Sequence, residues 1–98
     1  MSANELLTDV AMERARGQLD GWSIEDGRLR RRFRFADFPA AMAFMTRAAF
    51  DAERLGHHPN WSNVYDTVEV EIWSHDLGGI SRLCVELAGC MSSHASTT

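Results

Sequence analysis

The sequence predicts an α+β domain in the order αββαββα, with a four-stranded antiparallel sheet and the helices packed on one of its faces. Three observations lead there. Apolar residues recur at helical spacing in three separate stretches, and others alternate with polar ones along two pairs of strands. The strands also follow one another in hairpin fashion, with Asp26-Gly27 as a tight-turn signal, instead of alternating one by one with helices.

The first helix is expected from Thr8 to Leu19, where Ala11, Met12, Ala15 and Leu19 share a face and Thr8 or Asp9 is placed to cap the first turn. Trp22 to Glu25 then reads as a strand that turns at Asp26-Gly27 into a return strand from Arg28 to about Phe35. On that return strand Leu29, Phe33 and Phe35 lie on one face and Arg28, Arg30, Arg32 and Arg34 on the other, with Arg31 as the exception on the apolar side. Arginines alternating opposite an apolar face make a solvated sheet surface, or a face for a second subunit or an acidic partner.

Asp37 is an N-cap, Pro39 suits the first turn, and Phe44, Met45, Ala48, Ala52 and Leu55 form a stripe that stops at Gly56. After His57-His58-Pro59 a short strand is expected at Asn63-Val64-Tyr65. A longer one follows from Thr67 to Trp73, with Val68, Val70 and Ile72 facing the helices. Gly78-Gly79 breaks the chain, Ser81 is placed to cap, and Leu83, Leu87, Cys90 and Met91 give the last helix an apolar face. The polar end from Ser92 to Thr98 is expected to fray, leaving an ordered core of about residues 5–91 in a single domain of 98 residues.

Composition narrows the function. A formal net charge of −4 argues against a general binder of nucleic acid or membrane surface, since those partners select strongly basic chains. The segment Met1-Ser2-Ala3-Asn4-Glu5 has no basic lead into an apolar run, and no run reaches the roughly 20 residues of a membrane span, so a cytoplasmic location is expected. Cys84 and Cys90 have no C-x-x-C spacing and are read as reduced, buried, small apolar residues.

The informative residues are histidines. His57, His58 and His75 all fall at expected element ends, where sites gather. Pro59 biases His58 toward an extended backbone, so the neighbouring imidazoles diverge. If the end of the last strand lies beside the end of the second helix, the three imidazoles and the ring of Trp61, with Trp73 as a further candidate, surround one pocket. An imidazole titrates near pH 6.5, so a pair on opposite sides of a small substrate supplies a general base and a general acid at physiological pH. Singly, each histidine reads as well as a helix-end cap or a backbone hydrogen-bonding group. Together with Glu53 or Asp76 they include ligand types that zinc accepts, but no H-x₃-H, H-E-x-x-H or C-x-x-C pair occurs, so no metal is expected. No nucleophile elbow, phosphate loop or dinucleotide fingerprint occurs either.

One set of residues resembles a known family. It runs Glu53-x₃-His57-His58-Pro59-x-Trp61-x-Asn63-Val64-Tyr65, then nine residues, then His75-Asp76-x-Gly78-Gly79-Ile80-Ser81. Leu19-x-Gly21-Trp22, Phe33-x-Phe35-x-Asp37-Phe38 with Ala41 and Phe44, and Leu87-Ala88 support it. This pattern resembles the pterin-4a-carbinolamine dehydratases, also described as dimerisation cofactors of a homeodomain transcription factor.

The resemblance implies dehydration of 4a-hydroxytetrahydropterin to quinonoid dihydropterin without metal or organic cofactor. By position it implies that His57 and His75 are the acid/base pair, that His58 binds substrate and takes part in catalysis, and that Glu53 and Trp61 form the pocket wall. It implies a homodimer or homotetramer and admits a protein partner; the alternative is a weak or inactive member that serves as a protein-binding or oligomerisation module. One position departs from the family pattern. Ser81-Arg82-Leu83 is followed by Cys84 where the family usually carries Asp, and Cys84 is expected to replace neither a capping-box partner nor a carboxylate near the histidines.

Overall fold

The chain is described here by a computed structural model covering residues 4–98; Met1, Ser2 and Ala3, which begin the N-terminal segment considered above, lie outside the described residues. The elements are α1 (Asp9–Arg16), β1 (Ser23–Glu25), β2 (Arg28–Arg34), α2 (Phe38–Leu55), β3 (Asn60–Val64), β4 (Thr67–Ile72) and α3 (Arg82–Ser96). The αββαββα order is the expected one. The four strands pair antiparallel throughout, in the spatial order β1-β2-β4-β3.

Local chemistry accounts for the joints. The Thr8 hydroxyl accepts the Ala11 N–H at 3.1 Å and starts α1, which ends three residues before the expected Leu19. Beyond Arg16 the chain tightens into three-residue turns, with Gln18 N–H donating to Ala15 and Leu19 N–H to Arg16, and this winding still delivers Leu19 to the core. The β1–β2 turn places Asp26 at φ 52° and Gly27 at φ 71°, two successive left-handed residues of the kind a two-residue hairpin needs.

The strand expected at Asn63–Tyr65 begins three residues earlier, at Asn60, and gives Tyr65 up to the turn. Tyr65 sits at φ 53°, and the Asn63 side-chain amide donates to the carbonyls of Tyr65 and Thr67, so a side chain instead of a glycine holds this hairpin.

Leu29, Phe33, Val68, Val70 and Ile72 form the buried sheet face, against Ala41, Phe44, Ala48 and Ala52 of α2 and Cys84, Leu87, Ala88 and Met91 of α3. Phe33 is central, with Phe44 at 4.7 Å and Trp22 edge-on at 5.7 Å between ring centroids. On the opposite face Arg28 and Arg30 bind Glu71, Arg32 binds Glu69 and Arg34 binds Asp66. Arg31, the expected exception, lies against the Phe33 ring and donates to Asp20 and Ser92, and burial pulls its pKa down.

Two expectations for α3 are corrected. Its buried face is Cys84, Leu87, Ala88 and Met91, while Leu83 and Cys90 are only half-buried. The polar end does not fray at Ser92, because the helix runs on to Ser96. There Ser92 accepts the Trp22 indole N–H at 2.8 Å and His94 binds Asp51 of α2, so the polar residues are fastened by partners far away in sequence.

Candidate active site

The end of α2 sets the first imidazole. Gly56 adopts φ 63°, its N–H donates to Glu53 and the next N–H, that of His57, donates to Ala52 at 3.0 Å. This is a Schellman closure, in which the residue after the left-handed glycine is tied back into the last turn. The His57 backbone is therefore fixed by the helix itself. Its side chain is half-buried and its Nε2 lies 3.2 Å from the Cys84 sulfur, at the start of α3.

His58 turns outward, and its Nε2 meets Glu53 Oε1 at 3.0 Å. Both groups are exposed. His75 follows β4 and is also exposed; its ring stacks on Trp73 with centroids 4.2 Å apart and 13° between planes. The Arg28 guanidinium lies 3.9 Å from the Trp73 ring centroid, and the Asn60 amide lies 3.3 Å from His75 Nε2. Beyond His75 the Ser74–Gly79 turn closes on itself: Ser74 N–H donates to Gly79 and Gly78 N–H to Ser74. The turn then leads through buried Ile80 and Ser81 to Cys84.

Electrostatics link these groups. Burial is the main cause that lowers the His57 pKa below the ordinary imidazole value, and the charges of His58 and His75 lower it further. His57 thus feels both other imidazoles, and its neutral form is favoured. Burial also pushes the Cys84 thiol up, so it is uncharged near neutrality.

The structure brings His57, His58, Glu53 and His75 to one end of the sheet. Trp61 is half-buried against the core opposite Val70, one residue along β3 from Asn60 and therefore on the other side of that strand. No hydrogen bond or ring stacking joins it to the imidazoles among the described residues. A cavity of about 490 Å³ touches Asn60 and Trp61 but none of the histidines, and its lining includes Arg30 and Glu71, which are already paired. The cavity therefore adjoins the imidazole cluster at Asn60 without including a histidine. No group of three or more His, Cys, Asp or Glu among the described residues is arranged to hold a metal ion.

Sequence reasoning passed over two contacts. Asn60, which precedes the expected strand, lies against His75. Ser81, read as a cap, makes no side-chain cap bond; its hydroxyl lies 3.2 Å from the Cys84 sulfur. The spacing of Ser81 and Cys84, one helical turn apart, was the available signal for the second.

Comparisons with known proteins agree with one another. A family model described as pterin 4 alpha carbinolamine dehydratase matches residues 5–94. A relative from Synechococcus sp. (strain WH7803) is 52% identical over 83 residues, covering 85% of this chain and 89% of its own. One from Bradyrhizobium diazoefficiens is 46% identical over 96 residues, covering 96% of each. Both carry provisional names as pterin-4-alpha-carbinolamine dehydratases. The crystal structure of a transcriptional coactivator/pterin dehydratase from Brucella melitensis aligns with a TM-score of 0.87 at 39% identity, over 93% of this chain and 99% of that one.

Proposed function

The chain belongs to the pterin-4a-carbinolamine dehydratase family, and from that premise we propose that it removes water from 4a-hydroxytetrahydropterin, yielding quinonoid dihydropterin. The observation that carries the reading is the placement of a neutral, half-buried His57 within electrostatic reach of His58 and His75.

The reaction needs two proton transfers. A base takes the proton from N5, the electrons left on N5 form its double bond to C4a, and the C4a–oxygen bond breaks. An acid protonates the departing hydroxyl, which leaves as water. His57 suits the base because burial first, and the electrostatic influence of His58 and His75 second, lower its pKa and favour the unprotonated ring; His75, exposed and held by Asn60, suits the acid. His58, braced by Glu53 and next to His57 in the chain, is assigned to substrate binding and to assisting the proton transfers, and Trp61 to the pocket wall on the strength of the family resemblance. No step calls for a metal or organic cofactor.

The test is the decay of freshly generated 4a-hydroxytetrahydropterin, followed by ultraviolet absorbance against the spontaneous reaction. Acceleration that is lost in His57→Ala and His75→Ala supports the reading. Absence of acceleration at micromolar protein contradicts it.

A second reading, a protein-binding or oligomerisation module, is favoured by one observation: α2 leaves Phe38, Met42 and Phe50 exposed, Phe50 at 76%. A homodimer or homotetramer would cover them. Partner capture or assembly that tolerates both histidine substitutions, without turnover, would favour this reading over the first.

A further inference from the structure

Ser81 and Cys84 are both completely buried, and each forgoes its usual role. Ser81 occupies the N-cap position of α3 with extended backbone, yet its hydroxyl makes no cap bond. It faces the Cys84 sulfur at 3.2 Å, and that sulfur faces His57 Nε2 at the same distance. A thiol that only filled the core would need neither contact. Here it stands between a buried hydroxyl and the least exposed of the three candidate imidazoles.

The consequence is geometric. The backbone of His57 is held by Ala52 and its ring by Cys84, so the imidazole is fixed at both ends. Among the described residues its other ring nitrogen, Nδ1, has no hydrogen-bond partner. We infer that Cys84 is an uncharged positioning residue for His57: anchored by Ser81, its sulfur holds Nε2 and leaves Nδ1 as the nitrogen that exchanges a proton with substrate. This inference rests on the dehydratase reading.

The absence of charge is part of the device. The titratable groups around His57 are His58 beside it, His75 from the loop after β4 and Cys84 from α3; Glu53 of α2 is turned to His58. A carboxylate at Nε2 would orient the ring equally well but would favour its protonated form. Buried Cys84 remains a thiol, so it orients His57 without charging it. The electrostatic influence of His58 and His75 on His57 acts in the same direction, toward a neutral base.

Three variants separate the roles: Cys84→Ala, Cys84→Ser and Cys84→Asp, each with its urea midpoint measured and its pH profile of kcat/KM recorded. Cys84→Ala is expected to lose on the order of tenfold in kcat with little change in KM, since misorientation forfeits part of the roughly 10²–10⁴-fold that proton transfer supplies. Cys84→Ser, which keeps a small group able to donate and accept, is expected to restore most of that loss. Cys84→Asp is expected to move the acid limb of kcat/KM to higher pH. If Cys84→Asp fails to fold, the Ala and Ser pair decides.

Wild-type kcat in Cys84→Ala, or equal losses in the Ala and Ser variants, would overturn the inference and leave Cys84 as core packing. Nitrogen NMR of the His57 ring keeps this outcome distinct from failure of the dehydratase reading. Where wild-type protein shows no turnover, a change in Nε2 shift on Cys84→Ala still supports positioning, and an unchanged Nε2 shift rejects it.

Discussion

The backbone N–H of His57 donates to the carbonyl of Ala52, so the imidazole assigned to proton transfer is placed by the same closure that ends α2. The closure depends on Gly56 at φ 63°, where an added Cβ would meet no atom within 4 Å. Site geometry and helix termination are one structural event.

Gly56→Ala therefore tests whether the site inherits its geometry from the helix end. With no clash, the stability cost is that of a left-handed alanine, about 1 kcal/mol. Thermal unfolding should drop by roughly 4–8 °C for a domain of this size. Turnover per folded molecule at 25 °C should stay close to wild type, because an alanine that keeps the left-handed conformation keeps the closure and with it the place of His57. A fall in turnover with the unfolding midpoint little changed would show that the helix end and the site are set separately.

Ser92→Ala tests the extended end of α3. The Ser92 hydroxyl partners both the Trp22 indole and the Arg31 guanidinium, and removing it strands the part-buried indole N–H and leaves Arg31 with Asp20 as its remaining acceptor. The expected cost is about 1–2 kcal/mol, read from the midpoint of urea unfolding. Turnover should be unaffected, since none of these groups lies among the candidate histidines.

These two positions also show what the sequence made legible. The fold followed from alternation in β2 and β4, the Asp26-Gly27 turn, and the Asp37 and Gly56 boundaries of α2, all of them local signals. The length of α3 did not. Ser92 and His94 look like a solvated end until Trp22 and Asp51, 70 and 43 residues away, appear beside them. Within the site, the histidines announced themselves by residue type and spacing. Asn60 did not, and Cys84 stood out only as a departure from the family's Asp, because an amide and a thiol join a candidate site only through the imidazoles that the fold brings to them.

Stability should carry the mark of His57. Its pKa is lower in the folded chain than the ordinary value of about 6.5, so below that value the unfolded chain binds more protons. Stability from this group is complete above about pH 6.5 and is lost as pH falls from there to the folded value. His57→Gln should flatten that part of the pH–stability curve. A curve of the same slope in the variant would assign the dependence to other groups.

The measurement closest to the central claim is the rate of 4a-hydroxytetrahydropterin dehydration by wild-type protein beside His57→Ala and His75→Ala, each first shown to be folded by its unfolding midpoint. The account predicts acceleration by the wild type and a loss on the order of 10²-fold or more in each variant, the scale of a removed proton-transfer group. Acceleration that survives both substitutions, or a wild type no faster than the spontaneous reaction, would contradict it.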